Sequence, residues 1–146
     1  MIIKPYDSVD QLQFGKSDVA DCMNRFGDPK QVRTSRSGHV QYLYSDFIAR
    51  FDGIKGTFRE FTLLPKCSAV IGTIPVTWDR AFLLSLCEVD GFPVESAGFV
   101  ILPRLGVAVT GIHDDDPAQL AVGAFEFGIW DEPLKRAKPF DMTTLS

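Results

Sequence analysis

The chain has 146 residues, of which 45% are hydrophobic and 23% are charged, and its formal net charge is −4. This composition is typical of a folded globular domain and excludes an intrinsically disordered chain. The negative charge argues against nucleic acid as the main partner. Because no apolar run approaches 18 residues, no membrane-spanning helix is predicted, and we expect no membrane partner.

The N-terminal sequence, MIIKPYDSVD, has neither the basic region nor the long apolar region of a signal peptide. The three cysteines form no C-x-x-C motif and lack the spacing of secreted disulfide frameworks. We therefore predict buried, reduced thiols and a cytoplasmic protein.

The first helix is predicted between Ser17, whose hydroxyl suits the N-cap, and Gly27, which suits a left-handed C-terminal position. Pro29 blocks continuation. The apolar residues that share one helical face are Val19, Cys22, Met23 and Phe26. Because a helix of two to three turns is marginal on its own, it needs a sheet to pack against. Three strands, at 40–44, 47–51 and 57–64, are predicted to follow it in a meander.

A second unit repeats this order. A helix is predicted from the cap candidate Thr77 to Gly91, closed by Pro93. Its apolar positions are Trp78, Phe82, Leu83, Leu86, Cys87 and Val89. Strands are predicted at 99–102, 105–112 and 119–130, and a linking strand at 67–74 joins the two units. Residues 134–146 are predicted to form a loose tail.

The sequence therefore predicts an α+β fold in a single domain, 1–146. Two tandem α-β-β-β units, at approximately 1–66 and 67–133, would form an antiparallel sheet with short helices on one face, followed by the tail 134–146. Because two short helices cover one face at most, the other face is expected to meet solvent or a partner.

The first unit has the pattern FG-x-S, then FG-x-P, then Y-x-Y and RFD. This pattern resembles the helix-then-meander module of the beta-lactamase inhibitor protein family, and a small lipoprotein of the outer-membrane barrel-assembly machine has a similar module. The resemblance implies a tandem repeat whose curved sheet grips an enzyme. The second unit departs from the pattern at Trp78 and Asp79. The residues that match are Phe14, Gly15, Ser17, Val19, Phe26, Gly27, Pro29, Tyr42, Tyr44 and Phe51.

The densest charge cluster is the run of His113, Asp114, Asp115 and Asp116. Such a cluster suits a basic partner, a hard cation or a solvated turn. The carboxylates do not follow the spaced EF-hand pattern, so we predict no metal site. A solvated turn is the favoured interpretation of the cluster, and the candidate function of its four residues is contact with a partner protein.

A second group of candidate partner contacts combines large rings with carboxylates. Trp130 is followed by Asp131 and Glu132 at a predicted strand end, which favours exposure. Tyr42 and Tyr44 alternate on a predicted strand. Aromatic residues of this kind are enriched at interface hot spots, although they also pack in cores.

No G-x-S-x-G elbow, P-loop or G-x-G-x-x-G motif is present, so we predict neither an enzyme nor a cofactor. The chain also resembles, in size and acidity, the small cytoplasmic immunity proteins paired with bacterial toxins. We expect a cytoplasmic inhibitor that binds a basic toxin or enzyme and masks its active site. The alternatives are a small enzyme or ligand carrier with a pocket between sheet and helices, lined by His39 or His113, or a subunit of a larger assembly. The oligomeric state is left open.

Overall fold

The structure, a computed structural model, describes residues 1–146 and contains two β-sheets and three α-helices. The helices are α1 (Val19–Phe26), α2 (Arg80–Asp90) and α3 (Asp131–Lys135). The strands of the first half are β1 (Ile2–Lys4), β2 (Ser8–Val9), β3 (Leu12–Gln13), β4 (Gln31–Thr34), β5 (Val40–Leu43), β6 (Phe47–Phe51) and β7 (Phe58–Leu63). Those of the second half are β8 (Val70–Ile71), β9 (Ile74–Pro75), β10 (Val94–Ser96), β11 (Phe99–Leu102), β12 (Val107–Thr110), β13 (Ala121–Phe125) and β14 (Lys138–Pro139).

The large sheet has nine strands in the order β14-β10-β11-β12-β13-β7-β6-β5-β4, and every neighbouring pair is antiparallel. It consists of two meanders, which we call the N-terminal meander (β4 to β7) and the C-terminal meander (β10 to β13). Their last strands pair with each other, so that Leu63 lies opposite Val122 and Glu60 lies opposite Phe125. The predicted α+β class, with antiparallel strands, is confirmed.

The small sheet has the order β3-β2-β1-β8-β9, with β1 and β8 parallel. The prediction of one linking strand over 67–74 is wrong, because residues 70–75 form the two-stranded hairpin of β8 and β9. The small sheet joins the main core through Ile3, Val9 and Ile71, which are almost fully buried.

Helices α1 and α2 lie on the same side of the large sheet and define its inner face. Helix α1 buries Cys22, and α2 buries Phe82, Leu83, Leu86 and Cys87. Alternate residues of the strands point toward them because successive side chains of a strand point to opposite faces. The inner-face residues include Phe47, Ala49, Phe51, Phe61, Leu63, Val100, Leu102, Val107, Val109, Val122 and Ala124.

Both helices begin at an aspartate rather than at the predicted Ser17 and Thr77. The Asp18 carboxylate accepts from Asp21 N at 3.0 Å, and the Asp21 carboxylate accepts from Asp18 N at 2.9 Å, which is a reciprocal capping box. Ser17 is buried, and its hydroxyl accepts from the backbone of the preceding strand instead. The N-cap of α2 is Asp79, two residues after the predicted Thr77.

The C-terminal region differs most from the prediction. The strand expected over 119–130 is limited to β13, after which the chain turns and forms α3. Pro133 is tolerated there because it lies in the first turn of the helix. The loose tail predicted for 134–146 is wrong: β14 pairs with β10, and Phe140 and Leu145 are buried in the core.

Candidate functional site

The outer face of the large sheet is the side turned away from α1 and α2. Over the N-terminal meander, no helix packs on this face. Its outward residues are partly or fully exposed and are a mixture of apolar, polar, basic and acidic groups. They are Gln31, Arg33, Gln41, Leu43, Ile48, Arg50, Glu60 and Thr62.

Over the C-terminal meander, the same face is covered. Ile101, Ala108 and Phe125 point outward and are buried in a second, smaller apolar cluster. The segment that follows β13 packs over them with Ile129, Trp130 and Leu134. The Trp130 indole stacks on Phe125, with ring centroids 5.0 Å apart. The outer face of the C-terminal meander is therefore covered by apolar side chains.

A groove of about 470 Å³ runs along the border between the covered and the bare halves, and we call it the outer groove. Its floor is low because the cross-strand row of Thr62, Gly123 and Ala108 carries small side chains. The other lining residues are Arg50, Glu60, Leu64, Phe99, Thr110, Ala118, Gln119, Leu120, Ala121 and Trp130.

One wall of the outer groove holds three polar side chains in a defined arrangement. Arg50 lies opposite Glu60 across β6 and β7, yet Arg50 makes no ion pair with any carboxylate within 4 Å. Glu60 instead accepts a hydrogen bond from Trp130 Nε1 at 2.9 Å. The Arg50 Nη1 donates to Thr62 Oγ1 at 2.5 Å. The groove therefore presents a guanidinium without a carboxylate partner beside a fixed indole ring.

The acidic run lies in the loop between β12 and β13, away from the floor of the outer groove. Asp115 forms an ion pair with Arg80 at 2.8 Å, and its side chain is 77% exposed. Asp116 caps the short 3-10 turn at Pro117–Gln119. Asp114 is exposed. Asp114 and Asp115 are therefore the exposed carboxylates of the run, and Asp116 is partly exposed.

The two histidines occupy separate places. His113 is only 15% exposed at its side chain, contacts Phe140 edge-on, and its buried Nδ1 has no hydrogen-bond partner. It lines a depression of about 370 Å³ with Glu95, Arg136 and Lys138. His39 Nδ1 accepts from Gly53 N and thereby holds a turn.

The structure places Trp130 half-buried in the outer-groove wall, whereas the sequence favoured exposure at this position. Asp131 and Glu132 are exposed on α3, and Glu132 pairs with Lys135 at 3.1 Å. The acidic run precedes β13 in the chain, and Asp131 and Glu132 belong to the segment after β13 that folds back over the outer face.

Tyr42 and Tyr44 lie on the inner side and not on the outer face. The Tyr42 ring packs against Phe51 with centroids 5.5 Å apart. The Tyr44 hydroxyl donates to Gly27 O at 2.9 Å and lies 3.5 Å from Cys22 Sγ. Burial and this contact with Cys22 raise the pKa of Tyr44.

The three cysteines are buried and unpaired. Burial raises the pKa values of Cys67 and Cys87 to about 11, so both remain neutral thiols at physiological pH. The largest depression, of about 670 Å³, lies between the start of α2 and the loop after β12, where Trp78, Arg80 and Asp115 are among the lining residues.

The sequence analysis assigned no function to Arg50 and Glu60. It missed their part in the outer groove because the contact of Glu60 with Trp130 joins residues 70 positions apart in the chain. The period-two alternation of side chains along β6 and β7 indicates that both residues lie on the outer face. No local feature of the sequence indicates that they form a wall of the outer groove.

The fold and the groove thus define an α+β protein with one partly bare sheet face. No protein-family model, curated protein or solved structure matches this chain. None of its helices is both long and apolar enough to cross a membrane. No group of three or more His, Cys, Asp or Glu side chains is arranged to hold a metal ion.

Proposed function

We propose that this protein works by binding another protein through the outer face of its large sheet, as an inhibitor that masks the partner's active site. The observation that carries the proposal is the bare outer face of the N-terminal meander, where Leu43, Ile48 and Arg50 stand without a covering element. Arg33 and Arg50 also stand on this face, and arginine is enriched at interface hot spots.

The four exposed carboxylates of Asp114, Asp115, Asp131 and Glu132 suit a basic partner. Asp114 and Asp115 precede β13 in the chain, and Asp131 and Glu132 follow it on α3. Charges at a rim mainly raise the association rate and the specificity, because they steer a partner of opposite sign. We propose that they guide a basic enzyme onto the bare face.

The most specific form of the proposal is a cytoplasmic immunity protein that neutralises a toxin. Three buried, unpaired cysteines support a reducing compartment. The open sheet supports masking by surface contact, since a broad face can cover an active-site cleft.

The test is capture from the source cell with wild-type protein and two matched variants. Ile48→Glu places a charge on the bare face, and Val89→Glu places the same charge on an exposed position of α2, where Val89 is 63% exposed. We expect one protein to be retained by wild type and Val89→Glu and lost with Ile48→Glu. The retained protein, once purified, should lose its enzymatic activity when the inhibitor is added.

The proposal fails if Ile48→Glu retains the same proteins as wild type while remaining folded. It also fails if the captured protein keeps full activity in a saturated complex.

A further inference from the structure

We propose that the outer groove is a binding site for small planar carboxylic acids that carry an aromatic or other flat apolar body. This inference does not rest on the proposed function, because it concerns a ligand smaller than a protein and a site that can be tested without a partner.

The carboxylate would be recognised by Arg50. Arginine presents planar, paired N–H donors that match a carboxylate, and such charge-assisted pairs are among the strongest hydrogen bonds in proteins. One Arg50 donor is used by Thr62 Oγ1 at 2.5 Å, which fixes the guanidinium over the floor of the groove. The remaining donors have no carboxylate of this chain within 4 Å.

The hydrogen bonding of Glu60 explains why Arg50 has no ion pair within the chain and is available to a ligand carboxylate. The two residues lie directly opposite on the same face, where an ion pair between them would be expected. The Trp130 Nε1–H donates to Glu60 Oε1 instead, at 2.9 Å. This bond draws the carboxylate toward the indole and leaves the guanidinium without its natural neighbour.

The flat apolar part of the ligand would lie between the rings of Trp130 and Phe99 and the small residues of the groove floor. Trp130 and Phe99 form an edge-to-face pair with centroids 5.0 Å apart, and both line the groove. Trp130 is held from both sides, by its stack on Phe125 and by its bond to Glu60, so its exposed surface is already ordered before a ligand arrives.

The floor leaves room for a flat ring. Gly123 has no side chain, and the nearest atom to a Cβ added there, apart from its chain neighbours, would be Ala108 O at 3.8 Å, so even a methyl group would fit without a clash. Ala108 and Ala121 continue this low floor, and Leu120 borders it. A volume of about 470 Å³ lies within the range of small-molecule sites.

The test is an NMR titration of the full chain with benzoate, followed by the indole N–H signal of Trp130 and the amide signal of Gly123. Benzoate is small, so we expect a dissociation constant on the order of 1 mM. Benzamide has the same shape without the charge, and we expect it to shift these signals at least about tenfold more weakly. The indole signal of Trp78, which lines the other depression beside Arg80, reports a different site and should not move.

Three variants locate the binding group. Arg50→Gln should weaken benzoate binding at least about tenfold, because it removes the charge-assisted pair. Arg33→Gln removes an arginine from the same face outside the groove and should leave the affinity unchanged. Glu60→Gln keeps an acceptor for Trp130 and removes a nearby negative charge, so benzoate should bind about two- to threefold more tightly.

The inference is overturned if benzoate moves neither signal at 20-fold its expected dissociation constant, if benzamide binds equally well, or if folded Arg50→Gln keeps the wild-type affinity. A short blocked peptide that ends in phenylalanine with a free carboxylate should bind no more tightly than benzoate. Should it bind more than about tenfold tighter, the groove recognises a protein chain terminus, and the assignment to small acids is wrong.

Discussion

The two meanders share one sheet and one inner core, but their outer faces differ. Ile48 and Ile101 lie in the same cross-strand row of the outer face, and Ile101 is fully buried whereas Ile48 is only partly so. The cause lies in the connection after the last strand of each meander. After β13 the chain folds back over the outer face and supplies Trp130, while after β7 it leaves for the small sheet.

The outer residues of the two meanders therefore have different roles: those of one meander contribute to stability, and those of the other contribute to the surface. The C-terminal meander uses its outer residues as a second core, and the N-terminal meander leaves them free for contact. The outer groove lies where the two meet, which explains why it combines a rigid aromatic wall with an unpaired arginine.

The ends of the two helices show a second contrast. Helix α1 ends with Phe26, which packs against Phe47 at a centroid distance of 4.8 Å. Helix α2 ends with Asp90, which is 1% exposed and whose carboxylate accepts from three backbone N–H groups, those of Phe92, Arg104 and Leu105. The C-terminal end of α1 is thus held by ring packing, and the C-terminal end of α2 by hydrogen bonds that the turn between β11 and β12 donates to the carboxylate.

The largest expected effect comes from placing the same charge on both outer faces. Ile101→Glu buries an unpaired carboxylate and should destabilise the protein by more than about 4 kcal/mol. Ile48→Glu should cost less than about 1 kcal/mol, because its side chain can reach water. Urea denaturation measures both. Equal losses of stability would remove the distinction between a bare and a covered face.

The next effect concerns the helix end fixed by a carboxylate. Asp90→Ala leaves three backbone donors unsatisfied and should lower the free energy of unfolding by about 3 kcal/mol. Glu88→Ala, on the exposed side of the same helix, is the control and should change it by less than about 0.5 kcal/mol. A loss below about 1 kcal/mol for Asp90→Ala would mean that the carboxylate does not anchor α2.

A smaller effect is expected at the aromatic end. Tyr44→Phe keeps the ring and removes the hydroxyl that donates to Gly27 O. The expected loss is about 1 kcal/mol, the typical value of one hydrogen bond. Denaturation of this variant beside Asp90→Ala compares the two anchors directly, and a larger loss for Tyr44→Phe would reverse their order.

The smallest expected effect on stability is that of the buried thiols, and it appears only at alkaline pH. The pKa values of Cys67 and Cys87 are raised from 9.0 to about 11. Between pH 9 and 11 the unfolded chain therefore binds fewer protons than the folded one, and stability should fall as pH rises. Cys87→Ser should lose less stability than wild type between pH 8 and 10.5. An identical loss would show that this thiol titrates normally in the folded state.

Part of the fold could be predicted from local sequence features, namely a residue that ends a helix and the alternation of side chains along a strand. Gly91 has φ +82°, the left-handed conformation that glycine adopts without strain, and it ends α2 as its sequence indicates. The alternation of Phe47, Ala49 and Phe51 likewise identified β6 and its buried face. These features depend on neighbours in the chain, so the sequence carries them directly.

The remaining features depend on distant residues. No turn connects β7 to β13, so their pairing has no local signature. The segment Asp131 to Pro133 reads as the end of a strand, although acidic residues and proline are equally typical of a first helical turn. The candidate groove was missed for the same reason, since Trp130 and Glu60 meet only after the two meanders have joined.

The most direct test of the central claim is the solvent accessibility of the isoleucine methyl groups, measured by NMR with a soluble paramagnetic gadolinium chelate. Ile54, which is 98% exposed, and Ile3, which is 1% exposed, set the two limits. We expect the broadening of the Ile48 methyl signals to approach that of Ile54, and the broadening of the Ile101 methyl signals to stay near that of Ile3. Equal protection of Ile48 and Ile101 would contradict the bare outer face.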